Sequence, residues 1–95
     1  MLKSLEELVN TIRERKNANP EKSYTKKLLN DKKMCVAKVN EEINELIKAI
    51  EKNDNKVHEA ADVLYHLLVL LESNEIKIED VMEELKKRQN AVRQK

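Results

Sequence analysis

Glycine is missing from all 95 residues. The glycine-rich loops of P-loop and dinucleotide-binding folds bring backbone N–H groups close to a phosphate, so both are excluded. Chemistry on a phosphorylated ligand would have to use side chains or metal. One cysteine is present, Cys35. It excludes an internal disulfide and multi-cysteine zinc or iron–sulfur sites, and it agrees with a reducing compartment, the cytoplasm. Phenylalanine and tryptophan are absent and the only aromatics are Tyr24 and Tyr65, so the core has to be aliphatic. With stacking rings this scarce and a formal net charge of +1, nucleic acid is not an expected partner. The longest apolar run, Leu67 to Leu71, is far too short to span a bilayer. The N-terminus carries acids early without a continuous apolar region. No membrane anchor or signal peptide is therefore expected.

What remains is a chain 40% hydrophobic and 39% charged, the composition of one globular domain over residues 1–95. A chain this short buries ~60–65% of its unfolded surface, so self-association as a dimer or higher homo-oligomer is expected to complete the core.

With Pro20 as the only proline, helices must stop at Asn, Asp and Ser clusters. Leu2, Leu5, Leu8, Val9 and Ile12 recur at three- and four-residue steps and predict an amphipathic helix ending near Lys16. A loop over residues 17–22 follows, and Ser23 is placed to cap a short helical turn through Thr25, Leu28 and Leu29. From about Asp31 to Lys52, the residues Cys35, Val36, Val39, Ile43, Leu46, Ile47 and Ile50 lie on one helical face. Asn53-Asp54-Asn55 then acts as stop and restart. The segment from Lys56 to Ser73 is apolar around nearly its whole circumference and is expected at a buried centre. A last helix, roughly Ile78 to Gln94, carries Val81, Met82, Leu85 and Val92 on one side. The expected fold class is all-α, a small bundle of about five helices completed by oligomerisation.

Charge is unevenly spread. Residues 13–38 hold nine Lys or Arg against three acids, and residues 39–62 hold seven acids against three lysines. A basic arm followed by an acidic centre suits a polyphosphate with metal held by carboxylates, but from charge counts alone ordinary solvated surface is the favoured account.

The informative segments lie in that acidic centre. Glu41, Glu42 and Glu45 crowd the border between the apolar stripe and water, a costly arrangement unless cations sit among them. Glu59 and Asp62 stand three apart on the most apolar helix, where an unpartnered carboxylate costs several kcal/mol. Either a Lys or Arg from another helix or a hard divalent cation would remove that cost, and Mg²⁺ suits an all-oxygen site shared with phosphate. If the two helices pack antiparallel about Asn53 to Asn55, Glu45 and Glu59 fall within a turn or two in height. The five carboxylates can then form one cluster.

Glu41-Glu42-x-x-Glu45, thirteen residues, then Glu59-x-x-Asp62 resembles the metal motif of the MazG-like all-α nucleoside-triphosphate pyrophosphatases. Ser23-Tyr24-Thr25-x-x-Leu28-Leu29, Lys38-Val39-x-Glu41-Glu42 and Glu59-Ala60-Ala61-Asp62-x-Leu64-Tyr65-His66 are similar to the phosphoribosyl-ATP pyrophosphatase family within that group. The likeness covers about residues 8 to 89. It implies Mg²⁺-dependent hydrolysis of phosphoribosyl-ATP to phosphoribosyl-AMP and pyrophosphate, a step of histidine biosynthesis. Glu41, Glu42, Glu45, Glu59 and Asp62 would then be metal ligands or the base that prepares water. Lys38 is placed to hold phosphate or balance the acids, and Arg15, Lys16, Lys26 and Lys27 are further candidates for the charged substrate. Two positions depart from the family pattern: Asn40 stands where glycine is usual, and bulky Ile43 follows the Glu pair.

Other features read as structure. His58-Glu59-x-x-Asp62 echoes a zinc-protease helix but lacks its second histidine. Tyr65 and His66 suit hydrogen bonding or core packing, and Cys35, Met34 and Met82 suit packing. Two other readings stay open, a MazG-like enzyme for other nucleoside triphosphates and a non-catalytic helical interaction module.

Overall fold

The structure, a computed structural model, describes the backbone of residues 2–93 and the side chains of residues 2–89. The expected helix end at Gln94 and the Val92 side chain lie outside the described residues. Within them the chain forms five α-helices, α1 (Lys3–Glu14), α2 (Tyr24–Asn30), α3 (Lys32–Lys52), α4 (Lys56–Ser73) and α5 (Ile78–Arg93), and no strand. Among the described residues no helix is long and apolar enough to cross a membrane.

The breaks fall where side chains compete with the helical backbone. After α1 the chain tightens into a 3₁₀ turn, Arg15–Asn17. The Asn19 side chain then accepts the Glu21 N–H at 2.9 Å and closes the Pro20 turn. Ser23 caps α2 by accepting the Lys26 N–H at 3.2 Å. A single residue, Asp31, ends α2 and caps α3, its carboxylate accepting the Met34 N–H at 3.0 Å. The α3–α4 turn needs left-handed backbone and is built without glycine, from Asn53 (φ 55°) and Asn55 (φ 57°). Asparagine is the residue that tolerates this region best after glycine. The Asp54 N–H reaches back to the Ala49 carbonyl at 3.0 Å and seals the end of α3.

The core gathers Val9 and Ile12 from α1, Leu28 from α2, Cys35 from α3 and Leu68 and Val69 from α4. Helix α4 touches each of the three preceding helices, and its longest contact is with α3, which runs antiparallel to it across the short turn. The C-terminal end of α4 is pinned by ions. Buried Glu72 takes Arg13 Nε at 2.6 Å and Lys16 Nζ at 3.0 Å, and Arg13 also forks onto Glu79 at the start of α5 at 2.6 and 2.9 Å. The Arg13 guanidinium holds the Glu79 carboxyl at about 2. Burial works to raise the Glu72 carboxyl, but the hydrogen bonds from Arg13 and Lys16 outweigh it and the group titrates below its ordinary value.

One expectation is revised. Helix α4 is not enclosed on all sides, because the other four helices of one chain do not wrap it. It buries His66, Leu68, Val69 and Glu72, yet leaves Val57 86% and Leu64 52% exposed. The α3 stripe divides in the same way: Cys35 and Val39 face the core, while Ile47 (48% exposed) and Ile50 (57%) face outward.

Candidate active site

Glu59 and Asp62 lie one helical turn apart on α4 and are both half-buried. With exposed His58 they offer ligand atoms that all lie within 4.8 Å of one another. The His58 Nε2 stands 3.4 Å from Asp62 Oδ2. Among the described residues neither Glu59 nor Asp62 is paired with a lysine or arginine. No cation from another helix neutralises them among the described residues.

The acids of α3 stand on the helix packed against α4, outside that close group. Half-buried Glu42 has no ion-pair partner among the described residues. Glu41 has Lys38 Nζ at 3.5 Å and Glu45 has Lys48 Nζ at 3.8 Å, both loose pairs on their own helix. Pairs of this kind contribute ~0–1 kcal/mol and leave the carboxylates available to a stronger cation. Of the five carboxylates, the fold brings Glu59 and Asp62 within ligating distance of each other and sets Glu41, Glu42 and Glu45 on the adjoining helix. The closeness of His58 to Asp62 was legible as an i, i+4 spacing.

Tyr24 ties α2 to α4. Its hydroxyl is 3.0 Å from His66 Nε2, and His66 Nδ1 is 2.8 Å from the carbonyl oxygen of Asp62. Partial burial pushes the Tyr24 phenol up, Lys38 pulls it back, and Tyr65 and Glu42 add to the rise. The phenol is thus within electrostatic reach of the α3 residues Lys38 and Glu42 while bonded to the histidine one turn beyond Asp62. Thr25 bonds the Tyr65 hydroxyl beside it, and Tyr24 and Tyr65 stack with ring centres 6.4 Å apart. Sequence reasoning placed Tyr24 only within a motif; its contact with a residue 42 positions away leaves no local trace.

The basic residues separate by role. Lys16 is engaged by Glu72, and Lys26 Nζ bonds the Lys16 carbonyl. Arg15 lines an open cleft with Lys22, Ser23, Tyr24 and Thr25. Lys27 is exposed on α2, and Lys38 is half-buried beside Glu41.

Residues 5–89 match the family model described as phosphoribosyl-ATP pyrophosphohydrolase. The chain belongs to that family. A phosphoribosyl-ATP pyrophosphatase of Rhodobacter capsulatus is 44% identical over 88 residues, covering 90% of this chain and 85% of the relative. Proteins of the same name from the archaea Haloarcula marismortui and Methanococcoides burtonii are 43% and 40% identical, covering 88% and 90% of this chain and 91% and 92% of their own length. Phosphoribosyl-ATP pyrophosphohydrolases are hydrolases, so the acids of α3 and α4 belong to an enzyme scaffold. Both departures from the family pattern, Asn40 and Ile43, are exposed in the described fold and displace nothing in it.

Proposed function

We propose that this chain is a single catalytic domain that hydrolyses phosphoribosyl-ATP at its α–β phosphoanhydride, releasing phosphoribosyl-AMP and pyrophosphate in histidine biosynthesis in the cytoplasm. The supporting observation is the set of half-buried carboxylates, Glu42, Glu59 and Asp62, which stand on two packed helices and have no lysine or arginine partner among the described residues, in a chain whose homologues carry this activity in their names.

Glu59 and Asp62, with Glu41, Glu42 and Glu45 across the helix pair, are the residues that would hold Mg²⁺. Their all-oxygen character fits a hard ion that keeps water ligands and shares phosphate oxygens. When bound, Mg²⁺ supplies neutralisation of the phosphates and a fixed place for water. One carboxylate accepts the proton of that water as its oxygen bonds to phosphorus. The bond to the bridging oxygen breaks, and pyrophosphate leaves. Lys38 stands beside Glu41 and offsets phosphate charge from the α3 side.

The site works in a homodimer or higher oligomer. Ile43, Ile47 and Ile50 on α3 and Val57, Leu64 and Leu67 on α4 are all exposed, and they belong to the two helices that carry the acids. A second copy laid on this apolar face would remove it from water and lower the dielectric around the carboxylates.

The deciding experiment measures pyrophosphate release from phosphoribosyl-ATP and from ordinary nucleoside triphosphates, with Mg²⁺ and with chelator. Metal-dependent release confined to phosphoribosyl-ATP is expected. Equal turnover of other triphosphates would shift the reading to a broader MazG-like enzyme, and no turnover of any would make the scaffold a non-catalytic module.

A further inference from the structure

The substrate reading leaves one part of the ligand unaccounted for. Phosphoribosyl-ATP differs from ATP by a ribose 5-phosphate, so it has a second anionic end remote from the triphosphate. Among residues 13–27 the basic side chains are Arg13, Arg15, Lys16, Lys22, Lys26 and Lys27. Arg13 and Lys16 are consumed by Glu72 and Glu79, and Lys26 by a backbone carbonyl. Arg15 and Lys22 have no carboxylate within ion-pair distance among the described residues, although Glu14 and Glu21 are their sequence neighbours. Both line one open cleft of about 440 Å³ with Ser23, Tyr24 and Thr25.

Two cations that line one cleft without a carboxylate partner among the described residues offer positive charge to a shared anion. The neighbouring hydroxyl adds a donor: Ser23 Oγ accepts the Lys26 N–H as a helix cap, which leaves its own O–H free to donate. The cleft is also connected to the acids. Tyr24 forms part of its wall and bonds His66, which bonds the Asp62 carbonyl. Two hydrogen bonds, through one tyrosine and one imidazole, thus connect the wall of the cationic cleft to the backbone of α4 at Asp62.

We infer that the Arg15–Lys22 cleft binds the 5-phosphate of the phosphoribosyl group and thereby selects phosphoribosyl-ATP over nucleotides that lack it. This rests on the hydrolase reading above and adds to it the residues that set specificity. An ordinary triphosphate would leave both cations without a counter-charge, so the discrimination comes from contacts only the longer substrate can make.

The test compares phosphoribosyl-ATP with the ribosyl analogue lacking the 5-phosphate, in the wild type, Arg15→Gln, Lys22→Gln, the double variant and Arg15→Lys. The wild type should prefer the phosphorylated substrate by roughly 100-fold in kcat/KM, the scale of two charge-assisted hydrogen bonds. The double variant should bring that ratio to within a few-fold, mainly through KM, and Arg15→Lys should recover part of it. Circular dichroism confirms that each variant is folded, and the single variants carry the comparison if the double one is not. A ratio that survives in the variants, or a parallel loss on both substrates, overturns the assignment. If the wild type turns over neither compound, the hydrolase reading fails on its own. The ratio of calorimetric Kd values for the same two ligands then decides the cleft: collapse of that ratio in the double variant upholds it, and persistence overturns it.

Discussion

His66 Nδ1 lies 2.8 Å from the carbonyl oxygen of Asp62. A carbonyl only accepts, so Nδ1 carries the hydrogen, and in the neutral ring Nε2 is left as the acceptor for the Tyr24 hydroxyl 3.0 Å away. This fixes the tautomer of a buried imidazole one turn from a candidate metal ligand and joins α2 to α4. Long-range ¹H–¹⁵N spectra of the neutral ring are expected to show the Nδ1–H form. Tyr24→Phe would leave Nε2 without a donor at a cost of about 1–2 kcal/mol, lowering Tm by roughly 4–8 °C per kcal/mol. An Nε2–H tautomer, or an unchanged Tm in Tyr24→Phe, would contradict the assignment.

Glu59→Gln and Asp62→Asn should each cut pyrophosphate release from phosphoribosyl-ATP at least ~100-fold while the fold persists. In chelator the same variants should melt at or above the wild-type temperature, because each removes a charge from an acidic group that has no lysine or arginine to offset it. The paired readout, activity against Tm without metal, separates a functional acid from a structural one. A variant that lost stability in chelator and kept its activity would place the residue among structural acids.

Acid should loosen the end of the molecule where Arg13 meets Glu72 and Glu79. Glu79 is held at about 2 against an ordinary 4.5, and Glu72 is also lowered. A carboxyl whose folded pKa is depressed contributes stability that is full above its unfolded pKa and disappears as pH falls through the folded one. Tm should therefore decline as pH drops from about 4.5 toward about 2, and Glu79→Gln should flatten that decline. Glu72→Gln should cost about 1–2 kcal/mol at neutral pH, since it removes charge-assisted hydrogen bonds from half-exposed Lys16 and from Arg13, which keeps Glu79. A Tm–pH curve of unchanged slope in Glu79→Gln would show that the fork to Arg13 does not form in solution.

The outward faces of α3 and α4 give a fourth expectation. Ile47→Glu or Leu64→Asp should shift the mass measured by light scattering from an oligomer to a monomer, and should remove any dependence of Tm on protein concentration. A wild type that runs as a monomer at micromolar concentration would end this reading of the apolar face.

Much of the fold was legible because its signals are local. Ser23 announced its helix as a cap, the long helix was read to start about Asp31, which proves to be its cap, the Asn53–Asn55 stop fell where the turn is, and α4 begins and ends at the expected residues. The first helix was read slightly long, since Arg15 and Lys16 continue its polar pattern while the backbone has already tightened to 3₁₀. The central position of α4 was overstated: an apolar circumference reports that a helix is covered, not which chain covers it. At the site, the spacing of Glu59 and Asp62 sufficed to bring them together, because one helix holds both. Their relation to Glu42 and Lys38, and the partners of Tyr24, depend on packing between helices. Likewise, no local rule told Arg15 from Lys16: neighbours in sequence, they face a cleft and a buried glutamate respectively.

The turn at Asn53–Asn55 acts as the phase setting of a screw. Two of its three residues are already in left-handed backbone without glycine's latitude, so it cannot absorb an extra residue quietly. An inserted residue would change how α4 leaves the turn, carrying Asp62 and His66 off their bearing toward α2 and α3 together. The length of this connector is thus as much a determinant of the reaction centre as the identity of any acid in it.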